Sequence, residues 1–298
     1  MPTESKPIAG ELGVIVKNVV ALRAEPDGGT EQVTQALMGQ SVVAEGGQGD
    51  WLFCQTWDTY RGWIPTHSVR ILDAGAPRYA SSGPVAVIRE LFAEILEQPR
   101  EGGMIVTKVT LSVELEVSRV LDENWVEVRL PEGRTGFLRS HQARLIDKDV
   151  AVTIPLPDPR KLVETAQRFI GTPYYWGGTS PFGIDCSGFM QLVHHVHGVT
   201  LLRDAHMQAG DPRAEPVEKQ DLRTGDLVFF SSKKGKDPDL NTITHVGMAL
   251  SDKLFIHSCG HSGVIISPFT DPRYVPTYWG ARRMRLDTLD LGGGAPER

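Results

Sequence analysis

Hydrophobic and polar positions alternate in short runs through the first half of the chain, and turn-forming residues separate these runs. Residues 51–57 (WLFCQTW) and 61–65 (RGWIP) are two such runs with a turn between them. This alternation is typical of half-buried β-strands. Residues 88–96 (IRELFAEIL) depart from it, because their apolar side chains follow the i, i+3, i+4 and i+7 spacing of a helix.

The chain repeats itself at an offset of 74 residues. The matching positions are Trp51 with Trp125, Gly62 with Gly136, His67 with His141, and residues 70–73 (RILD) with 144–147 (RLID). The pattern predicts two copies of one small unit, at residues 8–74 and 84–148, joined by a turn-rich linker. Residues 88–96 have the Val- and Ile-rich residues 14–22 as their counterpart, so we expect both stretches to be extended despite the helical spacing.

The order of elements in each copy (strand, tryptophan, loop, Gly-Trp-Ile-Pro) resembles that of the bacterial SH3-like barrel. The resemblance covers nearly all of the first copy and is weaker in the second. It implies two small all-β SH3-like barrels in the first half of the chain.

The second half has a different pattern, beginning after the Pro-rich residues 154–159 (IPLPDP). Asp158 and Pro159 predict the cap and first residue of a helix that reaches about Ile170. A second helix is predicted from Cys186, and residues 224–230, 245–250, 254–257 and 264–267 are strand candidates. A helix packed on an antiparallel sheet is an α+β arrangement, expected over residues 157–288. The Gly- and Pro-rich residues 289–298 predict a flexible tail.

Cys186 stands at the first turn of the predicted second helix, directly after Asp185. Unpaired backbone N–H groups and the positive end of the helix dipole favour a thiolate at such a position. His245 and His257 lie in neighbouring strand candidates, where a hairpin would let them face each other. A cysteine with a base and an orienting partner predicts a cysteine hydrolase.

Other interpretations of these residue types stay open at this stage. Cys259 is a rival nucleophile on the predicted strand of His257, although it lacks a helix start, and Cys54 is expected to be an idle thiol. His194, His195 and His197 suggest zinc, but no cysteine or carboxylate set lies at structural-zinc spacing, so no metal is predicted. Tyr174 and Trp176 could instead be core aromatics.

Composition limits the partners. A net charge of -6 and a pI near 5.9 argue against nucleic acid. No run approaches the roughly 18 apolar residues that span a bilayer. The first residues lack the pattern of a secretory signal, and three cysteines suit a reducing compartment, so a cytoplasmic location is expected. We expect a monomer that needs no cofactor.

Four segments of the second half together resemble the NlpC family of papain-like cell-wall cysteine peptidases. They are residues 172–178 (TPYYWGG), 185–189 (DCSGF), 222–230 (LRTGDLVFF) and 245–248 (HVGM). The resemblance covers about residues 158–285. Two SH3-like barrels before such a domain are similar to the γ-D-glutamyl-L-diamino acid peptidases of murein-peptide recycling, which implies a murein-derived peptide as substrate.

The resemblance also implies roles for individual residues. Cys186 would be the nucleophile, His245 the base and His257 the third triad member, while the Tyr174 hydroxyl and the Cys186 backbone N–H would hold the oxyanion. The implied substrate-binding residues are Asp185, Ser187, Trp176, Arg203 and Asp204, with Glu31 and Tyr60 from the first copy. Ala205 stands where the barrel-bearing relatives usually have Ser or Thr, so one hydrogen bond is in doubt.

The reaction implied is hydrolysis of the γ-D-glutamyl–diamino acid bond, with a free N-terminal L-alanine on the substrate. One alternative keeps the triad but cuts the muramoyl–L-alanine bond. Another is a wall-remodelling endopeptidase that uses its barrels as wall-binding modules. A third is a wall-binding protein whose catalytic domain is vestigial, which the intact Cys186, His245 and His257 argue against.

Overall fold

The chain divides into two compact units, Met1–Thr153 and Ile154–Arg298. The computed structural model describes residues 10–150, 157–233 and 239–285. The predicted tail at residues 289–298 and the first half of the Pro-rich segment, residues 154–156, lie outside these ranges. No helix among the described residues is long and apolar enough to cross a bilayer.

The first unit contains two seven-stranded sheets. The strands of the first sheet are β1 (Glu11–Ile15), β2 (Val19–Arg23), β3 (Gln32–Leu37), β4 (Ser41–Gln48), β5 (Trp51–Gln55), β6 (Arg61–Pro65) and β7 (Val69–Ile71). Those of the second are β8 (Pro84–Ile88), β9 (Phe92–Leu96), β10 (Ile105–Thr110), β11 (Glu114–Val120), β12 (Trp125–Arg129), β13 (Thr135–Arg139) and β14 (Ala143–Asp147).

The two sheets have the same topology. The first runs β3-β2-β6-β5-β4-β1-β7 and the second β10-β9-β13-β12-β11-β8-β14, which is the same order with every strand number raised by seven. Short 3-10 turns at Thr66–Ser68 and Ser140–Gln142 also correspond, at the 74-residue offset seen in the sequence. The strands at the two ends of each described sheet are not paired with each other, so the expectation of closed barrels is met only in part. The boundaries 8–74 and 84–148 stay predictions.

Residues 88–96 contain no helix, against their helical spacing, and residues 92–96 are extended, as the repeat predicted. Ile88 ends β8, and β9 begins at Phe92 after a turn. Within β9, Ala93 and Ile95 are buried in the core of the second sheet while Phe92 is exposed. Side chains that alternate across a strand therefore explain this stretch.

The linker between the two sheets is packed rather than loose. Tyr79 and Ala80 are buried with Val14 and Val85, so the linker fills space between the copies. The Tyr79 hydroxyl donates to the backbone carbonyl of Arg129 and accepts from the backbone N–H of Glu116 at 3.2 Å. The turn composition of this segment gave no sign of such anchoring.

The second unit is an α+β domain, as expected. Its helices are α1 (Pro159–Gln167), α2 (Cys186–Val196) and α3 (Ala205–Ala209). Its strands are β15 (Thr179–Ser180), β16 (Gly183–Ile184), β17 (Ala214–Val217), β18 (Leu227–Ser231), β19 (Ile243–Ala249), β20 (Leu254–Cys259), β21 (Gly263–Pro268) and β22 (Tyr278–Met284). Six of them form an antiparallel sheet in the order β17-β22-β18-β19-β20-β21. Helix α2 packs on β19 and β20 of this sheet.

Both long helices begin at an aspartate. The Asp158 carboxylate accepts from the N–H of Arg160 at 2.9 Å, and that of Asp185 accepts from the N–H of Gly188 at 2.7 Å. Each cap satisfies a backbone donor that the helix leaves unpaired. The first helix is shorter than predicted, because its regular turns end at Gln167.

Gly188, two residues after the cysteine, occupies a position with no room for a side chain. A Cβ at this position would lie 2.2 Å from the carbonyl oxygen of Gly178, so backbone meets backbone there. The same carbonyl accepts from the N–H of Asp185 at 3.1 Å. The TPYYWGG segment therefore supports the start of α2 directly.

Candidate active site

Cys186 is the first residue of α2, and its side chain is buried. The thiol donates to the carbonyl oxygen of Thr244 with a sulfur–oxygen distance of 4.0 Å, and the N–H of Val246 donates to the sulfur. Thr244 and Val246 are the two neighbours of His245 on β19. The helix start and the histidine strand predicted from the sequence are thus in contact at the cysteine.

His245 and His257 form a hydrogen-bonded pair. Nε2 of His245 lies 2.8 Å from Nδ1 of His257, and the two rings are nearly perpendicular at 86°. Strands β19 and β20 pair with Met248 opposite Ile256, which puts Gly247 opposite His257 and both histidines on one face. Since Nε2 of His245 is engaged, Nδ1 is the nitrogen left to exchange a proton with a thiol.

Nε2 of His257 has a partner too. It lies 3.0 Å from the hydroxyl oxygen of Ser267, a buried residue of β21. Strand β21 pairs with β20 so that Ile265 is opposite His257, and Ser267 stands two residues further along on the same face. No local sequence pattern marks Ser267, because its proximity to His257 depends on this register.

Tyr274 packs against both histidines and was also missed. Its ring is stacked on His245 at 15° with a centroid distance of 6.1 Å, and it meets His257 edge-on at 5.0 Å. Phe230 and Phe255 complete the aromatic surroundings of the pair. This packing limits the rotation of both imidazole rings, and the His257 ring is fully buried.

Asp185 and Arg203 form a buried ion pair beside the cysteine. The two guanidinium Nη atoms of Arg203 lie 3.1 and 2.6 Å from the two carboxylate oxygens of Asp185, and Nη1 also donates to the Ser187 hydroxyl at 3.0 Å. Arg203 is 1% exposed. This arrangement fits a role in positioning Cys186 better than direct contact with a substrate. Substrate binding by Asp185, Ser187 and Arg203 stays a prediction.

Burial controls the electrostatics of the cysteine and histidines. It raises the pKa of the Cys186 thiol to about 12, with the Asp185 carboxylate acting in the same direction and the N–H groups of Val246 and Ser187 opposing it. Burial lowers the pKa of His245 to about 4, and burial together with His245 lowers that of His257 to about 2. The expectation that the helix start yields a resting thiolate is therefore wrong, because desolvation outweighs the helix N-terminus. The resting groups are a neutral thiol and neutral imidazoles.

Tyr174 lies close enough to Cys186 and Asp185 for their charges to affect it. Burial is the largest effect on the Tyr174 hydroxyl, and burial, Cys186 and Asp185 all raise its pKa. The hydroxyl therefore stays protonated and can donate a hydrogen bond. Trp176 is 61% exposed and Tyr175 50% exposed, so Trp176 is not a core aromatic. The contact of Tyr174 with an oxyanion and that of Trp176 with a substrate stay predictions.

Asp204 precedes α3 as its N-cap, yet its carboxylate accepts no capping hydrogen bond there. Glu31 lies before β3 in the first unit, and Tyr60 is half-buried in the turn before β6. The contribution of these three residues to substrate binding stays a prediction.

The remaining candidate residues have structural contacts. Cys54 is buried in the core of the first sheet, where burial raises the pKa of its thiol to about 12. Cys259 is buried 3.8 Å from Nε2 of His261. Nδ1 of His194 donates to the carbonyl oxygen of Met190 at 2.7 Å, and Nε2 of His197 lies 2.8 Å from the Thr165 hydroxyl oxygen. Within the described ranges, no three His, Cys, Asp or Glu side chains come together as metal ligands would.

Comparisons with known proteins identify the family. Residues 171–283 match the NlpC/P60 family, and residues 22–69 match the bacterial dipeptidyl-peptidase Sh3 domain. The chain is 32% identical to a gamma-D-glutamyl-L-lysine dipeptidyl-peptidase of Bacillus cereus, over 84% of this chain and 74% of the relative. It is also 32% identical to dipeptidyl-peptidase 6 of Lysinibacillus sphaericus, over 82% of this chain and 86% of the relative.

Among solved structures, an NlpC/P60 family protein from Bacillus cereus has a TM-score of 0.80 and 27% identity, covering 92% of this chain and 99% of that protein. The likeness therefore extends over both units. With the papain-like arrangement of a helix-start cysteine and a strand histidine pair, these matches establish that the chain belongs to the NlpC/P60 family of peptidases and carries a bacterial SH3 domain before its peptidase domain.

Proposed function

We propose that the protein is a cysteine endopeptidase that hydrolyses the γ-D-glutamyl–diamino acid bond of murein peptides. The observation that carries the proposal is the position of the Cys186 thiol between the backbone of Thr244 and Val246, on either side of a histidine whose Nε2 is already bonded to His257. Two relatives that share most of the chain's length support the choice of bond, since one is named for the γ-D-glutamyl-L-lysine link.

In the first step His245 takes the thiol proton at Nδ1 while the sulfur attacks the γ-D-glutamyl carbonyl carbon. Because the thiol is neutral at rest, proton transfer accompanies the attack, which is general-base catalysis. The negative charge moves to the carbonyl oxygen. The proposed donors to it are the Cys186 backbone N–H, which as the first residue of α2 has no partner within the helix, and the Tyr174 hydroxyl. One such donor contributes about 3 kcal/mol.

In the second step the imidazolium of His245 gives its proton to the leaving amine of the diamino acid, and the acyl group remains as a thioester on Cys186. Water then attacks the thioester with His245 again as the base. Products are L-alanyl-D-glutamate and the diamino acid when the substrate is the free tripeptide. His257 remains neutral throughout, because burial and the neighbouring His245 keep its pKa low.

We further propose that the second sheet, like the first, is an SH3-like domain, on the basis of its identical strand order. We also propose that the enzyme prefers a free N-terminal L-alanine on its substrate. Asp204, which is half-buried directly before α3, is the carboxylate proposed to face that ammonium group.

Product analysis tests the bond that is cut. The protein is incubated separately with L-Ala-γ-D-Glu-meso-diaminopimelate, with the corresponding L-lysine peptide and with intact murein, and products are weighed by mass spectrometry. We expect free diamino acid from the tripeptides, with the Cys186→Ala variant as the inactive control. Release of whole stem peptides from murein, with the tripeptides left uncut, would instead identify a muramoyl–L-alanine amidase.

A further inference from the structure

Ser267 completes a chain of hydrogen bonds that starts at His245. Nε2 of His245 lies 2.8 Å from Nδ1 of His257, and Nε2 of His257 lies 3.0 Å from the Ser267 hydroxyl oxygen. His257 is 0% exposed and Ser267 is 2% exposed, so bulk water does not compete for these contacts. Both ring nitrogens of His257 are thus occupied by protein groups.

A neutral imidazole carries one N–H and one acceptor nitrogen, so the chain can run in two directions. In the first, His245 donates from Nε2 to His257, and His257 donates from Nε2 to Ser267. In the second, Ser267 donates to His257, and His257 donates from Nδ1 to His245. The second direction leaves the proton of His245 on Nδ1, which is the nitrogen that must accept the proton of Cys186.

We infer that Ser267 is a positioning residue that accepts the Nε2–H of His257 and thereby keeps Nδ1 of His245 free to act as the base. The inference rests on the proposed cysteine chemistry but not on the identity of the bond cut. When the thiol proton reaches Nδ1, His245 becomes an imidazolium that still donates from Nε2 to His257. No other proton needs to move, so the hydrogen bonds of the resting state already suit the charged state.

The low pKa of His257 limits the roles that its two ring nitrogens can take. Because burial and His245 keep it neutral, His257 can accept one hydrogen bond and donate one, but it cannot donate at both nitrogens. An acceptor at its Nε2 therefore decides which role its Nδ1 plays. Without that acceptor, the buried Nε2–H would be unpaired, and the opposite tautomer would be favoured.

Four variants separate the hydroxyl from the packing of this side chain. Ser267→Thr keeps a hydroxyl, and Ser267→Val has the shape of threonine without a hydroxyl. Ser267→Ala removes the oxygen. His257→Asn removes the ring through which Ser267 acts. We expect kcat on a murein peptide to fall about tenfold or more in the Val and Ala variants, with KM little changed and Thr close to wild type. In a His257→Asn background, Ser267→Ala should have no further effect on kcat.

Nitrogen-15 NMR of the histidine rings gives a readout that needs no substrate. In the wild type we expect His257 to carry its proton on Nε2, and in Ser267→Ala we expect a shift toward the Nδ1–H form. A wild-type protein with His257 protonated on Nδ1 overturns the inference, whether or not any variant folds. Equal kcat losses from Ser267→Ala in the wild-type and His257→Asn backgrounds also overturn it. If the tautomer is as expected and no γ-D-glutamyl bond is cut, the proposed substrate fails and this inference stands.

Discussion

Gly247 lies directly opposite His257 on the neighbouring strand, and its lack of a side chain is what lets the two strands hold the histidine pair. A Cβ at this position would lie 3.0 Å from the Cβ of His257 and 2.8 Å from the carbonyl oxygen of Ile256. Backbone cannot yield as a flexible side chain can. Residues 245–247 of the HVGM sequence therefore provide both the base, His245, and the glycine that leaves room for its partner, His257.

Gly247→Ala should displace His257 and lengthen its hydrogen bond to His245. We expect kcat to fall by at least tenfold and the thermal midpoint to drop, since overpacking a buried site costs roughly 1–3 kcal/mol. Gly260→Ala is the matched control, because a Cβ there meets nothing within 4 Å. Wild-type activity in Gly247→Ala would contradict the role given to this contact.

Cys186→Ala should abolish hydrolysis, whereas Cys259→Ala should keep it. Because Cys186 is buried, its loss also removes packing, and we expect about 1 kcal/mol of destabilisation from the missing sulfur. Steady-state rates and thermal unfolding of both variants check this. If Cys259→Ala were the inactive one, the nucleophile would be Cys259.

Alkylation of Cys186 by iodoacetamide should accelerate steadily as pH rises from 6 to 10. The thiolate is the reactive form, and with the pKa raised to about 12 its fraction grows tenfold for each pH unit in this range. A preformed thiolate would instead give a plateau near neutral pH. Mass spectrometry of the labelled peptide distinguishes Cys186 from Cys54 and Cys259.

Folding stability should decline as the pH falls below about 6.5. Burial holds the pKa of His194 at about 4 in the folded state, against an ordinary value of 6.5, and acts in the same direction on His245 and His257. The unfolded chain binds these protons first, so the stabilising contribution is complete above pH 6.5 and is lost as the pH falls toward the folded-state values. Each histidine contributes a slope on the order of 1 kcal/mol per pH unit.

Urea unfolding at pH 7.5 and 5.0 measures this decline. His194→Gln should lose less stability between the two pH values than the wild type does. His67→Gln, at an exposed position in the first unit, is the control and should behave as the wild type. An identical decline in all three proteins would mean that His194 takes no part.

Asp204→Asn should weaken the preference for a free N-terminal amine. Losing the charged partner of a partly buried ammonium costs about 2–5 kcal/mol, and Asp204 is half-buried, so we expect the lower end, about a 30-fold fall in kcat/KM on the free tripeptide. The N-acetylated tripeptide serves as the control substrate. It should be a poor substrate of the wild type and lose little further activity in the variant.

The sequence alone was sufficient to predict the site residues that a local pattern marks. A capping aspartate before an apolar helix identified Cys186, and short strands twelve residues apart placed His245 and His257 in neighbouring strands. Ser267 and Tyr274 escaped detection because their proximity depends on the β20–β21 register and on the path of the loop after β21. The acidity of Cys186 was mispredicted because desolvation depends on everything packed around the sulfur, which no local pattern records.

The end of β3 in the first sheet has a consequence for how the first unit folds. Leu37 and Met38 lie in the hydrophobic core of the second sheet, and Asn18 is hydrogen-bonded to Thr107 across the two copies at 2.6 Å. Separating the two copies by a cut within the linker would remove the Leu37 and Met38 side chains from the core of the second sheet and expose them on the first copy. The two sheets should consequently unfold in a single cooperative transition. The two copies of the repeated sequence therefore behave as one thermodynamic unit.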